Sequence, residues 1–276
     1  MPLTLTTVGI LAGGGSLPPV VAEAARQGGR EVVVIAFEGH AEPGWVAGYR
    51  HDWVRLGAVG RTLALLHRHG CDEVCMIGKV GRPSLAAVAL DRRALAMLAR
   101  LGAMDAGDDR LLRLIVAELE REGFRVVGAD VLAASLLAPL GPLAGPAPDA
   151  AALADIARGV AVARALGEAD VGQAVVVQAH LVLGVEAVEG TDALLARCHD
   201  LKRQGPGGVL VKGRKRGQER RVDLPTIGPA TVDNAAAAGL RGIAVEAGHT
   251  LVAEADQLAR RAERHGLFVV GVEPFA

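Results

Sequence analysis

Aromatic residues are scarce in this chain of 276 residues: they make up 3% of it, as four Phe, two Trp and one Tyr. So few rings leave little surface on which nucleic-acid bases could stack. The formal net charge of -1 likewise gives no general attraction for a polyanion. We therefore expect no nucleic acid among the partners, and a core built mainly from Ala, Val and Leu.

Long apolar runs are also absent, since none approaches the roughly 18 residues that a membrane-spanning helix needs. The first residues lack the charged start of a signal peptide. Cysteine is limited to Cys71, Cys75 and Cys198, which cannot all pair with one another, and scarce unpaired thiols are typical of a reducing compartment. These features predict a cytoplasmic protein.

A soft-metal site is the alternative use of these cysteines, because His67, His69, Cys71 and Cys75 bring four ligand types close together in sequence. The two histidines, however, fall at the end of a predicted helix, and Gly70 has the position of its C-cap. Cys75 falls within an apolar strand pattern. We therefore interpret the cluster as a helix end followed by a buried strand.

Apolar strands alternate with helices in the first half of the chain, which indicates a parallel sheet covered by helices on both faces. The predicted strands are residues 7–11, 31–37, 73–77 and 125–127, and the predicted helices are residues 17–27, 62–69 and 111–121. The fold class expected is α/β, with a Rossmann-like N-terminal domain over residues 1–137.

Periodicity stops at residues 138–148, where four prolines occur in eleven residues, and we predict a domain linker there. Residues 149–276 then form a second, mixed α/β domain. Its predicted helices are residues 149–166, 191–203, 228–238 and 254–265, and its predicted strands are residues 174–178, 181–186, 209–211, 243–246 and 267–270. The strands 174–178 and 181–186 fit a hairpin, although Ala179-His180 is weak turn chemistry.

The first strand, a glycine run and a helix follow one another, and this order favours a phosphate site. A loop without side chains lets an anion approach, and a helix N-terminus offers free N–H groups and a positive dipole end. The residues predicted to bind there are Gly13, Gly14, Gly15, Ser16 and Leu17. A simple tight turn would explain the same glycines, since glycine runs also occur in turns for steric reasons.

A dinucleotide fingerprint is matched only in part. Gly13 and Gly15 occupy the first two glycine positions, but Pro18 stands where the third glycine would allow close helix packing. Glu38 is a candidate ribose ligand. This partial match keeps open two alternatives, an NAD(P)-dependent Rossmann-type oxidoreductase and a non-enzymatic nucleotide-binding regulator.

Lys79 follows the third predicted strand, so it should share the carboxyl edge of the sheet with the glycine loop and could reach a phosphate. An ordinary exposed lysine would look the same.

Asp108 and Asp109 precede the helix of Leu111. One of them can be its N-cap, while two adjacent acids are also ligands of the kind that Mg²⁺ prefers. Residues 189–192 lie at the start of another predicted helix, and their acids can likewise be N-cap residues or ligands of Mg²⁺.

Positive charge is concentrated in residues 202–221, which carry eight Lys or Arg against Glu219, a local balance of +7. Asp223 follows directly in an otherwise apolar turn. Such a loop could bind an anionic substrate electrostatically and present a carboxylate to it as a metal ligand or base. The alternative is a solvated basic loop in which Asp223 caps the following helix.

Four segments together resemble the LpxI-type UDP-2,3-diacylglucosamine pyrophosphatases of lipid A biosynthesis. They are Ile10-Leu-Ala-Gly-Gly-Gly-Ser-Leu-Pro18, Gly107-Asp-Asp-Arg-Leu-Leu112 with Glu122-Gly-Phe124, Glu189-Gly-Thr-Asp-Ala-Leu-Leu-Ala-Arg197, and Arg221-Val-Asp-Leu-Pro-Thr-Ile-Gly228. Each segment alone is weak, but their order and spacing are specific. The resemblance implies hydrolysis of the substrate to UMP and lipid X with Mg²⁺ as cofactor.

The same resemblance implies that the N-terminal domain holds the UDP part and that the C-terminal domain covers the acylated sugar. Asp223 occupies the position of the family's essential aspartate, as catalytic residue and metal ligand. Further substrate contacts are expected at Gly190, Thr191, Asp192, Lys212 and Thr226. A lipid substrate also implies transient, peripheral contact with the inner membrane. A homodimer is compatible with the sequence.

Overall fold

The computed structural model describes residues 5–81, 88–101, 108–215 and 219–275. The chain forms two compact units. The first comprises Met1–Ala134 with Glu219–Asp223, and the second comprises Ser135–Gln218 with Leu224–Ala276. One unit contains a parallel sheet and the other a mixed sheet, so the predicted α/β class with two domains is confirmed.

The first unit is a five-stranded parallel sheet in the order β3-β2-β1-β4-β5. Its elements are β1 (Thr7–Ala12), α1 (Leu17–Gln27), β2 (Glu31–Phe37), α2 (Pro43–Val46), β3 (Arg50–Val54), α3 (Val59–Arg68), β4 (Glu73–Ile77), α4 (Arg92–Leu98), α5 (Asp108–Arg121), β5 (Arg125–Val126) and α6 (Ala129–Leu132). Strand order reverses between β1 and β4, and ligands of open parallel sheets bind at such a switch point.

The helices α2, α4 and α6 and the strand β3 were not predicted, and α5 begins earlier than expected. β3 has the sequence Arg-His-Asp-Trp-Val and lies at the sheet edge, where a polar strand is favoured and an apolar pattern is not required. α5 begins at Asp108 and not near Leu111, so Asp108 and Asp109 belong to its first turn instead of preceding it. Acidic residues in a first turn interact favourably with the helix dipole.

The second unit contains a six-stranded sheet in the order β6-β13-β11-β9-β7-β8 and a two-stranded sheet of β10 and β12. Its elements are β6 (Gly141–Ala144), α7 (Ala150–Glu168), β7 (Ala174–Gln178), β8 (Leu181–Val185), α8 (Gly190–Leu201), β9 (Val209–Lys212), β10 (Thr226–Ile227), α9 (Pro229–Ala237), β11 (Gly242–Glu246), β12 (Leu251–Val252), α10 (Ala255–His265) and β13 (Phe268–Val272). β9, β11 and β13 run parallel, whereas β6, β7 and β8 pair antiparallel.

The Pro-rich segment 138–148 is not a free linker. Its residues 141–144 form β6, which pairs antiparallel with β13, and the boundary between the units falls at residues 134 and 135. Pro142 is tolerated because β6 is an edge strand, and an edge strand does not need every N–H for the ladder. The proline-rich segment therefore contains an edge strand of the second unit.

The hairpin of β7 and β8 is confirmed, and its turn is supported from outside. Ala179 and His180 both have positive φ, 50° and 64°, which ordinary residues adopt at a cost. The carboxylate of Asp155 on α7 accepts the N–H groups of both residues, at 3.1 and 2.7 Å. Hydrogen bonds to a buried acid distant in sequence thus stabilise a turn conformation that Gly or Asn usually adopts.

Candidate functional site

The glycine loop and Lys79 lie together at the carboxyl edge of the first sheet. Gly14 and Lys79 exchange two backbone hydrogen bonds of 2.8 Å, and the N–H of Gly13 donates to the carbonyl of Ile77 at 2.9 Å. The loops that follow β1 and β4 are therefore joined directly. The side chain of Lys79 is exposed, so it extends from a fixed backbone.

Two of the three loop glycines are required for close packing of the backbone. A Cβ on Gly13 would lie 2.7 Å from the carbonyl oxygen of Lys79, and one on Gly14 would lie 2.8 Å from that of His40. Gly15 differs, because it is exposed, has a φ of 95° and would place its Cβ in open space. Close backbone packing therefore explains Gly13 and Gly14, and Gly15 is the glycine that an anion can approach.

The start of α1 offers fewer N–H groups than expected, because Pro18 and Pro19 fill its first turn and have none. The N–H groups of Gly13 and Gly14 already donate to carbonyls. An anion here would be bound by the N–H groups of Gly15, Ser16 and Leu17. Ser16 holds the N-cap position without a side-chain cap hydrogen bond, so its hydroxyl can face a ligand.

We predict that Ser16→Asp weakens UMP binding at least about tenfold without lowering thermal stability. A negative charge at this position complements the helix dipole, so the fold should tolerate Asp. A carboxylate at this point would nevertheless repel a phosphate. Calorimetry with UMP and thermal melts would test this, with Ser16→Ala as the uncharged control. Unchanged UMP affinity in Ser16→Asp would remove the phosphate from this loop.

Asp223 lies at the end of a short turn that belongs to the first unit. The carbonyl of Glu219 accepts the N–H groups of Val222 and Asp223, at 3.0 and 3.1 Å. The guanidinium of Arg221 binds both carboxylate oxygens of Glu219, at 2.8 and 2.9 Å. Hydrogen bonding from Arg221 lowers the pKa of Glu219, so this acid stays ionised and the turn stays closed at neutral pH.

Four of the described cations in the basic segment 202–221 form ion pairs with carboxylates. The ion pairs are Arg214 with Glu246, Lys215 with Asp170, Arg220 with Asp130, and Arg221 with Glu219 and Glu120. The charge counted along the sequence overstated the local field at these four cations, because four of the five partner carboxylates lie outside the segment.

Several predicted substrate residues of the second unit meet at the end of β9. The ammonium of Lys212, which is buried, donates to the hydroxyl of Thr191 and to the carbonyl of Thr226, both at 3.0 Å. The Thr191 hydroxyl donates in turn to Glu186 at 2.8 Å. The carboxyl end of β9, the start of α8 and the start of β10 are thereby tied together.

The start of α8 corrects one expectation. The helix begins at Gly190, which has a φ of 81°, and Glu189 holds the N-cap position. The hydroxyl of Thr191 therefore does not cap the helix but joins the Lys212 network. The carboxylate of Asp192 accepts a hydrogen bond of 2.9 Å from Asn234 on α9.

Glu186 was missed from the sequence although it is central to this network. Its side chain is buried, and its second carboxylate oxygen accepts the N–H of Gln173 at 3.2 Å. The available signal was an acid directly after an apolar strand, which is the carboxyl end of β8. A buried carboxylate needs several hydrogen-bond donors, and the structure supplies them.

The described residues contain no group of three or more His, Cys, Asp or Glu arranged to hold a metal ion. In the segment from His67 to Cys75, His69 binds Asp52 at 2.6 Å, and burial raises the pKa of Cys75 to about 12. The side chains of Asp108 and Asp109 lie outside the described part of the chain. Among the described helices, none is long and apolar enough to cross a bilayer.

Two solved structures align with parts of the chain. A UDP-glucose-4-epimerase from Stenotrophomonas maltophila is 15% identical, with coverage of 43% of this chain and 34% of that chain and a TM-score of 0.28. A biotin carboxylase from Campylobacter jejuni is 11% identical, with coverage of 71% and 41% and a TM-score of 0.29. Scores this low carry no argument about function.

Family comparisons are far more specific. The model of the LpxI N-terminal domain matches residues 7–136, and that of the LpxI C-terminal domain matches residues 139–270. A relative from Caulobacter vibrioides, named UDP-2,3-diacylglucosamine pyrophosphatase LpxI, is 42% identical over 274 residues, which are 97% of this chain and 98% of the relative. Both domains match in order and over nearly the full length, and the chain therefore belongs to the LpxI family.

Proposed function

We propose that this chain hydrolyses the pyrophosphate bond of UDP-2,3-diacylglucosamine to UMP and 2,3-diacylglucosamine 1-phosphate, lipid X. The observation that carries the proposal is the near full-length match to a relative named for this pyrophosphatase activity. The chemistry fits the first unit, whose parallel sheet presents a glycine loop, Lys79 and the Asp223 turn. Parallel sheets of this kind bind phosphorylated ligands at the carboxyl edge.

In this proposal the glycine loop holds the UMP portion. The N–H groups of Gly15, Ser16 and Leu17 would bind phosphate oxygens, and Lys79 would add a positive charge. Asp223 would act on the attacking water, as a base or as a metal ligand. The turn supports this role because its backbone is fixed by the carbonyl of Glu219, so that the carboxylate is held before substrate arrives.

Magnesium is part of the proposal, and the donor chemistry of the turn is compatible with it. Mg²⁺ commonly takes one or two carboxylates and completes its coordination with phosphate oxygens and water. In this proposal Asp223 supplies the carboxylate. Bound Mg²⁺ would neutralise charge on the phosphoryl oxygens. Asp223 would hold the positive charge of the metal near the bond that is cleaved.

The oxidoreductase alternative is not favoured. Pro18 and Pro19 remove the third glycine and two N–H groups from the loop that would hold a dinucleotide. The alternative predicts binding of NADH, seen as a change in its fluorescence. A non-enzymatic regulator would bind nucleotide without turnover.

The deciding assay is incubation of the purified protein with UDP-2,3-diacylglucosamine, with and without EDTA. We expect release of UMP, its loss in EDTA and its recovery on addition of excess Mg²⁺. Activity that persists in EDTA would exclude the metal role of Asp223. Binding of NADH without UMP release would replace the proposal with the oxidoreductase.

We propose in addition a weak contact with anionic membrane, because the proposed substrate is a lipid. Lys202 and Arg203 are exposed, and each cation near an anionic surface contributes about 1 kcal/mol before salt screening. Vesicles with anionic lipid should therefore sediment the protein at low salt only. Equal sedimentation by neutral vesicles, or none by either, would contradict this.

Sedimentation equilibrium would decide between a monomer and the homodimer.

A further inference from the structure

Each of the three residues before Asp223 attaches the turn to the first unit. Arg220 pairs with Asp130 on α6, Arg221 pairs with Glu120 on α5, and Val222 packs against the hydrophobic core. That core includes Val116 and Leu119 of α5. The turn is thus held by two ion pairs and one apolar contact.

The pair of Arg220 and Asp130 is the less solvated of the two. The side chain of Asp130 is 10% exposed, whereas that of Glu120 is 46% exposed. Both Nε and Nη2 of Arg220 reach Oδ2 of Asp130, at 3.0 and 2.9 Å. Shielding from water and salt makes such a pair stronger than an exposed one.

The backbone of the turn also lies close to the strand end that carries Asp130. A Cβ on Gly128 would collide with Oδ1 of Asp130 and would lie 3.3 Å from the Cα of Arg221, so the turn packs closely against this glycine. Gly128 follows β5, and the N–H of Val127 still pairs with Val74 of β4. The turn therefore rests on the carboxyl edge of the first sheet, and Asp130 holds it at that edge.

We infer that Asp130 and Arg220 are positioning residues for Asp223. The inference rests on the proposed function, because positioning matters only if Asp223 takes part in the reaction. Arg220 stands between Glu219 and Asp223, whose backbones are hydrogen-bonded to each other, so the ion pair fixes the place from which the Asp223 carboxylate extends. A shift of about 1 Å in a reacting group can cost on the order of 10²-fold in rate.

Asp130→Asn is the most informative variant. Asn keeps the shape of Asp130, and Arg220 is exposed enough to be solvated when unpaired. We expect kcat to fall about 10- to 100-fold, while KM changes less than about threefold and the melting temperature stays near that of the wild type. Arg220→Lys, which keeps the charge and one donor, should recover part of the kcat that Arg220→Met loses.

Matched controls come from the opposite edge of the same sheet. Arg50 and Glu31 form an exposed ion pair at the starts of β3 and β2. Arg50→Met and Glu31→Gln remove charge from an exposed pair of the same sheet and should leave kcat and KM unchanged. Loss of kcat in these controls would mean that any surface pair matters, and the specific role of Asp130 would be wrong.

Hydrogen exchange tests the inference even if the wild type proves inactive on the proposed substrate. The N–H groups of Val222 and Asp223 are hydrogen-bonded within the turn and should exchange slowly in the wild type. In Asp130→Asn their exchange should accelerate at least about tenfold, with the N–H groups of β1 unaffected. Unchanged exchange across residues 219–223, or a loss confined to KM, would overturn the positioning role. An inactive wild type with faster exchange in the variant would overturn the proposed function alone.

Discussion

Asp223→Ala abolishes UMP release while substrate binding and folding remain largely intact, if the proposed role of this carboxylate is right. A group that binds a metal or takes a proton acts mainly on the transition state, so its loss lowers kcat more than affinity. The turn should survive, because Glu219, Arg221 and Val222 make its contacts through other atoms. Turnover measured at saturating substrate, together with calorimetry and thermal melts, checks each part.

Asp223→Asn and Asp200→Asn complete this comparison. The first keeps the shape of the side chain without its charge and should be as inactive as Asp223→Ala. The second removes an exposed aspartate from α8 and should behave as the wild type. A folded Asp223→Ala protein that retains more than about a tenth of wild-type turnover, a gap below roughly 1.4 kcal/mol, would show that Asp223 is not catalytic.

Lys212→Met is expected to have the second largest effect. The buried ammonium joins Thr191 to the carbonyl of Thr226, and Met fills similar volume without donating hydrogen bonds. The acceptors left behind should cost about 1–3 kcal/mol of unfolding free energy. The start of β10 would lose its tie to α8, and we expect turnover to fall at least about tenfold. Denaturant unfolding and steady-state kinetics measure the two effects separately.

Lys202→Met is the control for Lys212→Met, since Lys202 is an exposed lysine of the same segment. It should leave the free energy of unfolding unchanged. A Lys212→Met protein with wild-type turnover and lower stability would restrict Lys212 to a structural role. Wild-type values for both would mean that the network around Thr191 and Thr226 is dispensable.

Strongly patterned elements were predictable from the sequence. The bounds of α1, β2 and β4 match the prediction, because apolar periodicity and flanking glycines locate a buried strand or an amphipathic helix. The shared edge of the glycine loop and Lys79 also followed, since carboxyl ends of parallel strands meet at one edge. Local pattern and parallel topology were sufficient for these features.

Features that depend on distant residues were not predictable in the same way. The turn at Ala179 is supported by Asp155, and the charge of Arg214 and Lys215 is offset by acids far along the chain. Nothing in the local sequence indicates that residues 219–223 belong to the first unit. A single sequence reports which side chains are present, but their partners are set by tertiary packing.

Turnover in ¹⁸O-labelled water tests the central claim most directly. Hydrolysis to UMP and lipid X can proceed by water attack on either phosphorus, and the products are otherwise identical. We propose, as the family resemblance implies, that water attacks the β-phosphorus next to the sugar and that UMP leaves. Mass spectrometry should then find the label in lipid X. Label in UMP would place the attack on the α-phosphorus and contradict the account, and unlabelled products would show that the reaction is not hydrolysis.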